Sequence, residues 1–237
     1  MCGRSSLTKT EKEIEARFNA TFYSEELERY NPLPNFNIAP THYQPIITSG
    51  DQQHIHIFRW GLIPFWAKDK GIGSKMINAR VETLVEKPVF KNCLPSRRCI
   101  IPLDGFYEWK RNGKEKIPYR IVARDQAIFG VAGLWDNWKD PVNGEVVQSF
   151  TIITRGPNYL MEKIHDRMPA ILLKENEHHW LDPEVKPADA LQLLIPYPDD
   201  QMEAYEVSPR VNHVKENDPE LLRRIESKGN IIQTTLF

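Results

Sequence analysis

The chain has 237 residues, of which 41% are hydrophobic and 27% charged, and its 31 Lys and Arg nearly balance its 32 Asp and Glu. This composition excludes a chain that is disordered throughout, and it does not favour a protein held on duplex DNA by bulk positive charge. No apolar run approaches the roughly 20 residues that span a membrane. Residues 1–6 have no hydrophobic signal core, so we expect a cytoplasmic protein.

The elements predicted first along the chain are two helices. Thr8-x-x-Glu11 fits a capping box, which predicts a helix from residue 8 to about residue 18, and a shorter helix follows Ser24. Two β-rich runs, 44–49 and 54–60, flank Gly50-Asp51 and predict a hairpin.

The middle of the chain continues as strands. They are expected at 99–103, 106–110, 118–123, 127–134 and 146–154, with turns at Asn112-Gly113 and Asn143-Gly144. Helical stretches are expected at 158–164, 174–180, 188–194 and 220–227. No internal boundary is visible, so we predict one α+β domain over residues 1–237, with a mainly antiparallel, barrel-like β-sheet system and peripheral helices.

Positive charge concentrates in residues 59–111, where eleven Lys and Arg face five Asp and Glu, a net +6 that leaves −7 for the remainder. Aromatics among cations suit single-stranded nucleic acid, and the same segment holds Trp60, Phe65, Trp66, Phe106, Tyr107 and Trp109. A solvated basic surface and packed core aromatics explain the pattern equally well. Trp66 is the best candidate for exposure, because it leads into the polar, glycine-bearing stretch 67–73.

Cys2 carries unusual chemistry if Met1 is removed. The residue then bears an α-amine of pKa about 7.7–8.0 beside a thiol of pKa about 8.5. The amine can condense with an aldehyde to an imine, and the thiol can close a five-membered thiazolidine ring. The alternative is that Cys2 is incidental.

An odd set of three cysteines does not favour a disulfide framework, and we expect Cys93 and Cys99 to be structural.

Two further residues are candidates for proton transfer. Strand alternation places Glu108 on the same face as Phe106, where burial would raise the carboxyl pKa toward a range useful for catalysis. A carboxylate paired with an arginine is as common. His165 is a candidate because histidine is the side chain suited to proton transfer near neutral pH, although a lone histidine is usually structural. The pairs His54/His56 and His178/His179 lack a ligand set and no phosphate-binding glycine motif is present, so we expect no metal and no cofactor.

Several motifs together resemble one family. They are, in chain order, Met1-Cys2-Gly3-Arg4, Asn37-Ile38-Ala39-Pro40-Thr41, Trp60-Gly61-Leu62-Ile63-Pro64, Asn78-Ala79-Arg80-Val81-Glu82-Thr83, Arg98-Cys99-Ile100-Ile101-Pro102, Gly105-Phe106-Tyr107-Glu108-Trp109, His165-Asp166-Arg167-Met168-Pro169 and Val207-Ser208. The chain resembles the SRAP family, the SOS-response-associated peptidase proteins that shield abasic sites in single-stranded DNA. The resemblance implies that Cys2 forms a thiazolidine with the ring-opened abasic sugar, that Glu108 and His165 move protons, and that Asn78 binds the reacting centre.

The resemblance also implies contacts with the nucleic acid. The DNA-binding positions would be Arg4, Pro40, Trp66, Arg80 and Arg167, with the arginines on phosphates and Trp66 as a wedge between bases. One departure is Ala67, where some relatives carry a second tryptophan. The implied partner is single-stranded DNA containing abasic sites. We expect the protein to be a monomer and to associate with the nucleoid when it is bound to DNA.

Other functions remain open from the sequence. Cys2 could serve an N-terminal-cysteine peptidase or amidase, and the basic aromatic segment could serve a non-catalytic single-strand binding module. Self-catalysed removal of Met1 and a minor lyase activity, by β-elimination from the imine, are compatible with the same residues.

Overall fold

The structure is a computed structural model that describes residues 2–225. The strands of this part are β1 Ser5–Leu7, β2 Thr21–Phe22, β3 Asn35–Ile38, β4 Tyr43–Thr48, β5 Asp51–Trp60, β6 Asn78–Arg80, β7 Arg98–Leu103, β8 Gly105–Asn112, β9 Glu115–Ala123, β10 Phe129–Lys139, β11 Val146–Arg155, β12 Met168–Pro169 and β13 Met202–Glu206. Its α-helices are α1 Glu11–Phe18, α2 Ser24–Tyr30, α3 Pro88–Lys91, α4 Tyr159–Glu162, α5 Glu177–Leu181 and α6 Pro187–Gln192.

The larger sheet closes into a barrel. Its strands run in the order β12-β11-β10-β7-β4-β5-β2, and β11 also pairs with β5, so β5, β4, β7, β10 and β11 form a ring. The pairings within the ring are antiparallel except the closing one between β5 and β11. Because closure removes the free edges from the ring strands, the barrel is a rigid base for the loops at its ends.

The second sheet carries the N-terminus. Its order is β13-β9-β8-β1-β3, with β1 held between β8 and β3. Ser5 lies opposite Phe106, and the Tyr107 amide donates to the Arg4 carbonyl at 2.9 Å. This antiparallel register directs the residues before Ser5 along the part of β8 that contains Glu108.

Aromatic and aliphatic side chains fill the barrel. Phe58, Trp60 and Phe150 are fully buried, and the rings of Trp60 and Phe150 stack with centroids 6.3 Å apart. Each such side chain contributes about 1.5–3 kcal/mol by leaving water. Arg98 is also fully buried and donates to the carbonyls of Leu94 and Trp180, each at 2.6 Å.

The predicted α+β fold is confirmed, and so are the long strands, both hairpin turns with positive-φ glycines at Gly113 and Gly144, and the helices near 158–164, 174–180 and 188–194. The start of α1 was predicted wrongly. The N-cap is Thr10, which forms a capping box with Glu13, whereas Thr8 binds the carboxylate of Asp104 through its amide and hydroxyl. Both threonines have a glutamate three residues later, and the local pattern does not distinguish them.

Two other predictions need correction. The first hairpin turns at Ser49-Gly50, because Thr48 pairs directly with Asp51. The predicted helix 220–227 is replaced by a 3-10 turn at Pro219–Leu222 and a bridge between Arg224 and Val207, and its residues 226 and 227 lie outside the described part. Among residues 2–225, no helix has the length and apolar character needed to cross a bilayer.

Candidate active site at the N-terminal cysteine

Cys2 lies at the centre of a group of polar side chains drawn from separate elements. It is fully buried, and its carbonyl oxygen accepts a hydrogen bond from Asn78 Nδ2 at 2.8 Å. Asn78 begins β6, a short strand fixed by parallel pairing with β11 on the barrel. Burial raises the pKa of the Cys2 thiol well above its ordinary value, and the negative charge of Glu108 raises it further. The thiol is therefore protonated at neutral pH in this state.

Glu108 is a buried carboxyl in the middle of β8. It is 2% exposed, and burial raises its pKa while the charge of His165 opposes the rise. As predicted from alternation, Phe106 packs into the main core, whereas Tyr107 packs into a separate cluster with Val207. Glu108 thus projects from the face that carries Phe106, between the core and the site.

His165 completes the group from the segment after α4. Its Nε2 lies 3.8 Å from Glu108 Oε2. The backbone amide of Arg167 donates to Nδ1 at 3.0 Å, which leaves the ring proton on Nε2, facing Glu108. The Asp166 carboxylate lies 2.9 Å from Nδ1, but that side chain is 87% exposed and would compete with the amide only for a protonated ring. The geometry favours an imidazole that presents its proton to the buried carboxyl.

A pocket of about 330 Å³ opens beside this group. It is lined by Glu108, Trp109, Arg111, Lys116, His165 and Asn212. Trp109 Nε1 donates to Asn212 Oδ1 at 2.8 Å, which fixes one wall. Cys2 does not line this pocket, so the buried thiol is not open to it. Glu108 links the two, because it lines the pocket and also interacts electrostatically with Cys2.

The three arginines that the family resemblance implies for phosphate binding differ in their surroundings. Arg80 is exposed at the end of β6. Arg4 is half-buried, donates to Asn37 Oδ1 at 2.7 Å, and has a pKa lowered by burial. Arg167 makes a two-pronged contact with Glu82 at 2.7 and 3.0 Å, and it also donates to the Thr154 carbonyl. Pro40 is half-buried and follows β3.

Trp66 is exposed, as the sequence predicts, with 54% of its surface accessible, and the adjacent Phe65 is 59% exposed. The loop beneath them is fixed: Phe65 N donates to Asp136 Oδ2 at 3.0 Å and Trp138 Nε1 donates to the Ala67 carbonyl at 2.7 Å. Ala67 itself is 7% exposed and faces the core. The two aromatic rings are therefore presented on a supported loop.

Part of the predicted basic segment does not face solvent. Arg98 is fully buried on backbone carbonyls, and Arg59 is half-buried with a pKa lowered by burial. The exposed cations of the segment are Lys68, Lys70, Lys75, Arg80, Lys87, Lys91 and Arg111. The net charge of +6 thus overstates the cations available to an anionic partner, because burial is not visible in a count.

The remaining candidate groups have structural surroundings. Cys93 and Cys99 are buried free thiols, and burial raises the pKa of Cys93 to about 12. His54 lies 2.9 Å from Asp51, and His56 lies between Asp51 and Glu26. Within residues 2–225, no three His, Cys, Asp or Glu side chains are arranged to hold a metal ion.

Arg111, Lys116 and Asn212 are site-lining residues that the sequence did not single out as such. Arg111 and Lys116 flank the predicted Asn112-Gly113 turn, and extending the two strands through it would have placed them opposite each other. Asn212 had no such signal, because its approach to Trp109 spans more than 100 residues of chain.

Comparison with known proteins gives one consistent result. Residues 1–214 match the family model described as SOS response associated peptidase (SRAP). The abasic site processing protein YoqW of Bacillus subtilis is 50% identical over 94% of this chain and 99% of its own length. The abasic site processing protein HMCES of Xenopus tropicalis is 32% identical over 95% of this chain and 78% of its own. A crystal structure of a Bacteroides thetaiotaomicron protein superposes with a TM-score of 0.89 at 34% identity, covering 95% of this chain and all of that one.

Proposed function

The chain belongs to the SOS response associated peptidase (SRAP) family, and on that basis we propose that it processes abasic sites in single-stranded DNA by capturing them covalently on Cys2. The observation that carries the proposal is the convergence on Cys2 of an amide donor, Asn78, and a buried carboxyl, Glu108, with His165 beyond it. Relatives across nearly the full length of the chain are named abasic site processing proteins.

The chemistry uses both functional groups of the mature residue. After hydrolysis removes Met1, the α-amine of Cys2 attacks the aldehyde carbon of the ring-opened deoxyribose and gives a carbinolamine. Loss of one water forms the imine. The thiol sulfur then adds to the imine carbon while its proton passes to nitrogen, which closes the thiazolidine. One water is released overall, and no cofactor is consumed.

Glu108 and His165 supply the proton transfers. A carboxyl whose pKa is raised by burial keeps its proton closer to neutral pH, so it can protonate the carbinolamine hydroxyl as water leaves. When both ring nitrogens of His165 carry a proton, the one on Nε2 faces Glu108 and can return to the carboxylate, which leaves a neutral imidazole. Asn78 holds the Cys2 carbonyl and so fixes the direction of the attacking amine.

The DNA would be held by residues around the pocket. Exposed Arg80 is available for a phosphate, and Trp66 can stack on a base next to the lesion. Arg167 would release its ion pair with Glu82, whose side chain is 51% exposed, and bind a phosphate instead. Pro40 and Arg4 would lie along the edge of the bound DNA strand. Because ring closure by the thiol removes the imine, β-elimination is a minor outcome in this scheme.

The test is denaturing electrophoresis with matched oligonucleotides that contain either an abasic site or an intact nucleotide. The proposal predicts an SDS-resistant band with the abasic strand only, lost in Cys2→Ala and in Cys2→Ser. The alanine side chain cannot close a ring on the imine, and the oxazolidine that serine would form is not durable. Cys93→Ala serves as the matched control and should crosslink normally, because Cys93 is buried away from the site.

Two results would contradict the proposal. A stable adduct with Cys2→Ala would remove the sulfur from the chemistry. Equal noncovalent binding of intact and abasic strands, with no resistant band from the mature chain, would favour a simple binding module.

A further inference from the structure

A pair of like charges stands on the hairpin next to the pocket. Arg111 on β8 and Lys116 on β9 are direct cross-strand partners, and both line the pocket that contains Glu108 and His165. Like charges directly opposite in an antiparallel pair are destabilising, since their Cβ atoms are only about 4.5–5.5 Å apart. A local arrangement that works against the fold marks a position retained for something other than stability.

The two cations differ from the arginines elsewhere in the fold. Among the described residues, no carboxylate lies within 4.0 Å of Arg111 or Lys116, whereas Arg17, Arg120 and Arg167 all have one. Both side chains are exposed. Their charges can therefore meet a ligand without breaking an ion pair.

The basic surface continues beyond this pocket. A neighbouring pocket of about 530 Å³ shares Trp109, Arg111 and His165 with the first and adds Lys110 and Lys163. Glu162 and Asp166 also line it, so the excess of positive charge is greatest at the hairpin itself. The Lys163 Nζ lies 4.0 Å from the centroid of the Tyr159 ring, so an aromatic ring adjoins these cations.

We infer that Arg111 and Lys116 form a phosphate clamp that binds the backbone of the single strand immediately beside the reacting sugar. A guanidinium offers forked donors to phosphate oxygens and an ammonium adds a point charge. Two such side chains whose Cβ atoms stand about 5 Å apart on paired strands can hold one phosphodiester between them. The inference rests on the proposed function for the identity of the strand. The β8–β9 hairpin would then determine the affinity for DNA and would not take part in the chemical step.

The first experiment removes both charges in the mature full-length chain. We expect Arg111→Gln/Lys116→Gln to raise the concentration of abasic oligonucleotide that gives half-maximal crosslinking rate, while the rate at saturation stays unchanged. The log–log dependence of affinity on salt should become shallower by about 0.7 for each phosphate that the protein no longer neutralises. The control pair Lys12→Gln/Arg29→Gln removes the same two charges from exposed positions on α1 and α2 and should bind as wild type.

A second variant separates binding from folding. Lys116→Glu should form a cross-strand ion pair with Arg111, so its Tm should equal or exceed that of the wild type while DNA affinity falls. An unchanged affinity and salt slope in both hairpin variants would overturn the clamp, as would an equal loss in the control pair. If the hairpin variants weaken binding but the wild type forms no crosslink, the clamp stands and the proposed covalent function fails.

Discussion

Glu108 is a buried carboxyl whose burial is unfavourable for stability and to which the proposed function gives a proton transfer. A carboxyl 2% exposed in an otherwise apolar stretch would be replaced by an apolar side chain if only packing mattered. Its raised pKa means that the neutral form is favoured in the fold. The same shift lets Glu108 keep a transferable proton at a higher pH than an exposed glutamate does.

Replacing Glu108 with glutamine should slow crosslinking about 100-fold, because the amide keeps the shape but transfers no proton. The rate of appearance of the SDS-resistant band, under saturating abasic strand, measures this. Glu162→Gln makes the same chemical change at an exposed position and is the control. An unchanged rate in Glu108→Gln would remove this carboxyl from the proton transfers.

The same substitution should stabilise the fold in a pH-dependent way. A carboxyl whose pKa is raised on folding contributes stability below its ordinary value of 4.5 and loses that contribution as pH rises through the folded value. Glu108→Gln should therefore have a higher Tm than wild type at pH 8, with the difference shrinking toward pH 4. Thermal unfolding at both pH values tests the sign, and a variant less stable than wild type at pH 8 would contradict it.

For single residues, the features that could be predicted from the sequence are those that depend on residue type and local pattern. The burial of Glu108 and the exposure of Trp66 were predicted from local pattern and are confirmed, while the bifunctional chemistry of Cys2 stays a prediction from its residue type. The burial of Arg98 was missed, because its carbonyl partners include Trp180, which is 82 residues away along the chain, as well as the nearby Leu94. A charge count treats that arginine like any surface cation.

Among the elements, the long hairpins were predictable and the short strands were not. β8 and β9 show alternation and a turn dipeptide, but β1, β6 and β12 have three, three and two residues, too few for any period to appear. These short strands position Cys2 and Asn78, and the segment after α4 adds His165. The site is therefore assembled from the pieces that local sequence reveals least.

Asp136 on β10 anchors the loop that presents Phe65 and Trp66. Its carboxylate accepts from the Phe65 amide and pairs with Arg97. We expect Asp136→Asn to lower stability by about 1–3 kcal/mol. The amide has one acceptor oxygen, whereas the buried carboxylate accepts from the Phe65 amide on one oxygen and pairs with Arg97 on the other. The peptide covering the loop should also exchange its amide hydrogens faster, as mass spectrometry can measure.

Asp189→Asn, at an exposed position in α6, is the matched control and should leave the exchange of that loop unchanged. Unaltered protection in Asp136→Asn would show that the loop is held mainly by Trp138 and apolar packing.

Arg98 ties the start of β7 to the segment around α5. Arg98→Met should lower the free energy of unfolding by on the order of 3 kcal/mol or more, because several buried carbonyls lose their donor together. Chemical denaturation measures the change. Lys91→Met, at the exposed end of α3, should lie within about 0.5 kcal/mol of wild type. A similar small effect for Arg98→Met would mean that water replaces the guanidinium.

For the whole molecule, the closed barrel and the second sheet each position different residues of the site. The barrel positions Asn78 through β6 and supports the loop of Trp66, while the second sheet carries Cys2 and Glu108. The α+β class with antiparallel strands was predictable from alternation and turns. A barrel-like sheet was also predicted, but the parallel β5–β11 pairing that closes it was not, since contacts between strands about 90 residues apart leave no local signal.

The central claim is that the amine and the thiol of Cys2 act together on an abasic sugar, and mass spectrometry of the reacted protein tests it most directly. Mature chain and chain with an acetylated α-amine are each incubated with an abasic single strand and digested. We predict an adduct on the peptide that begins at Cys2, with the mass of the two components less one water, and none from the acetylated chain. An adduct on another residue, or one that survives acetylation, would contradict the account.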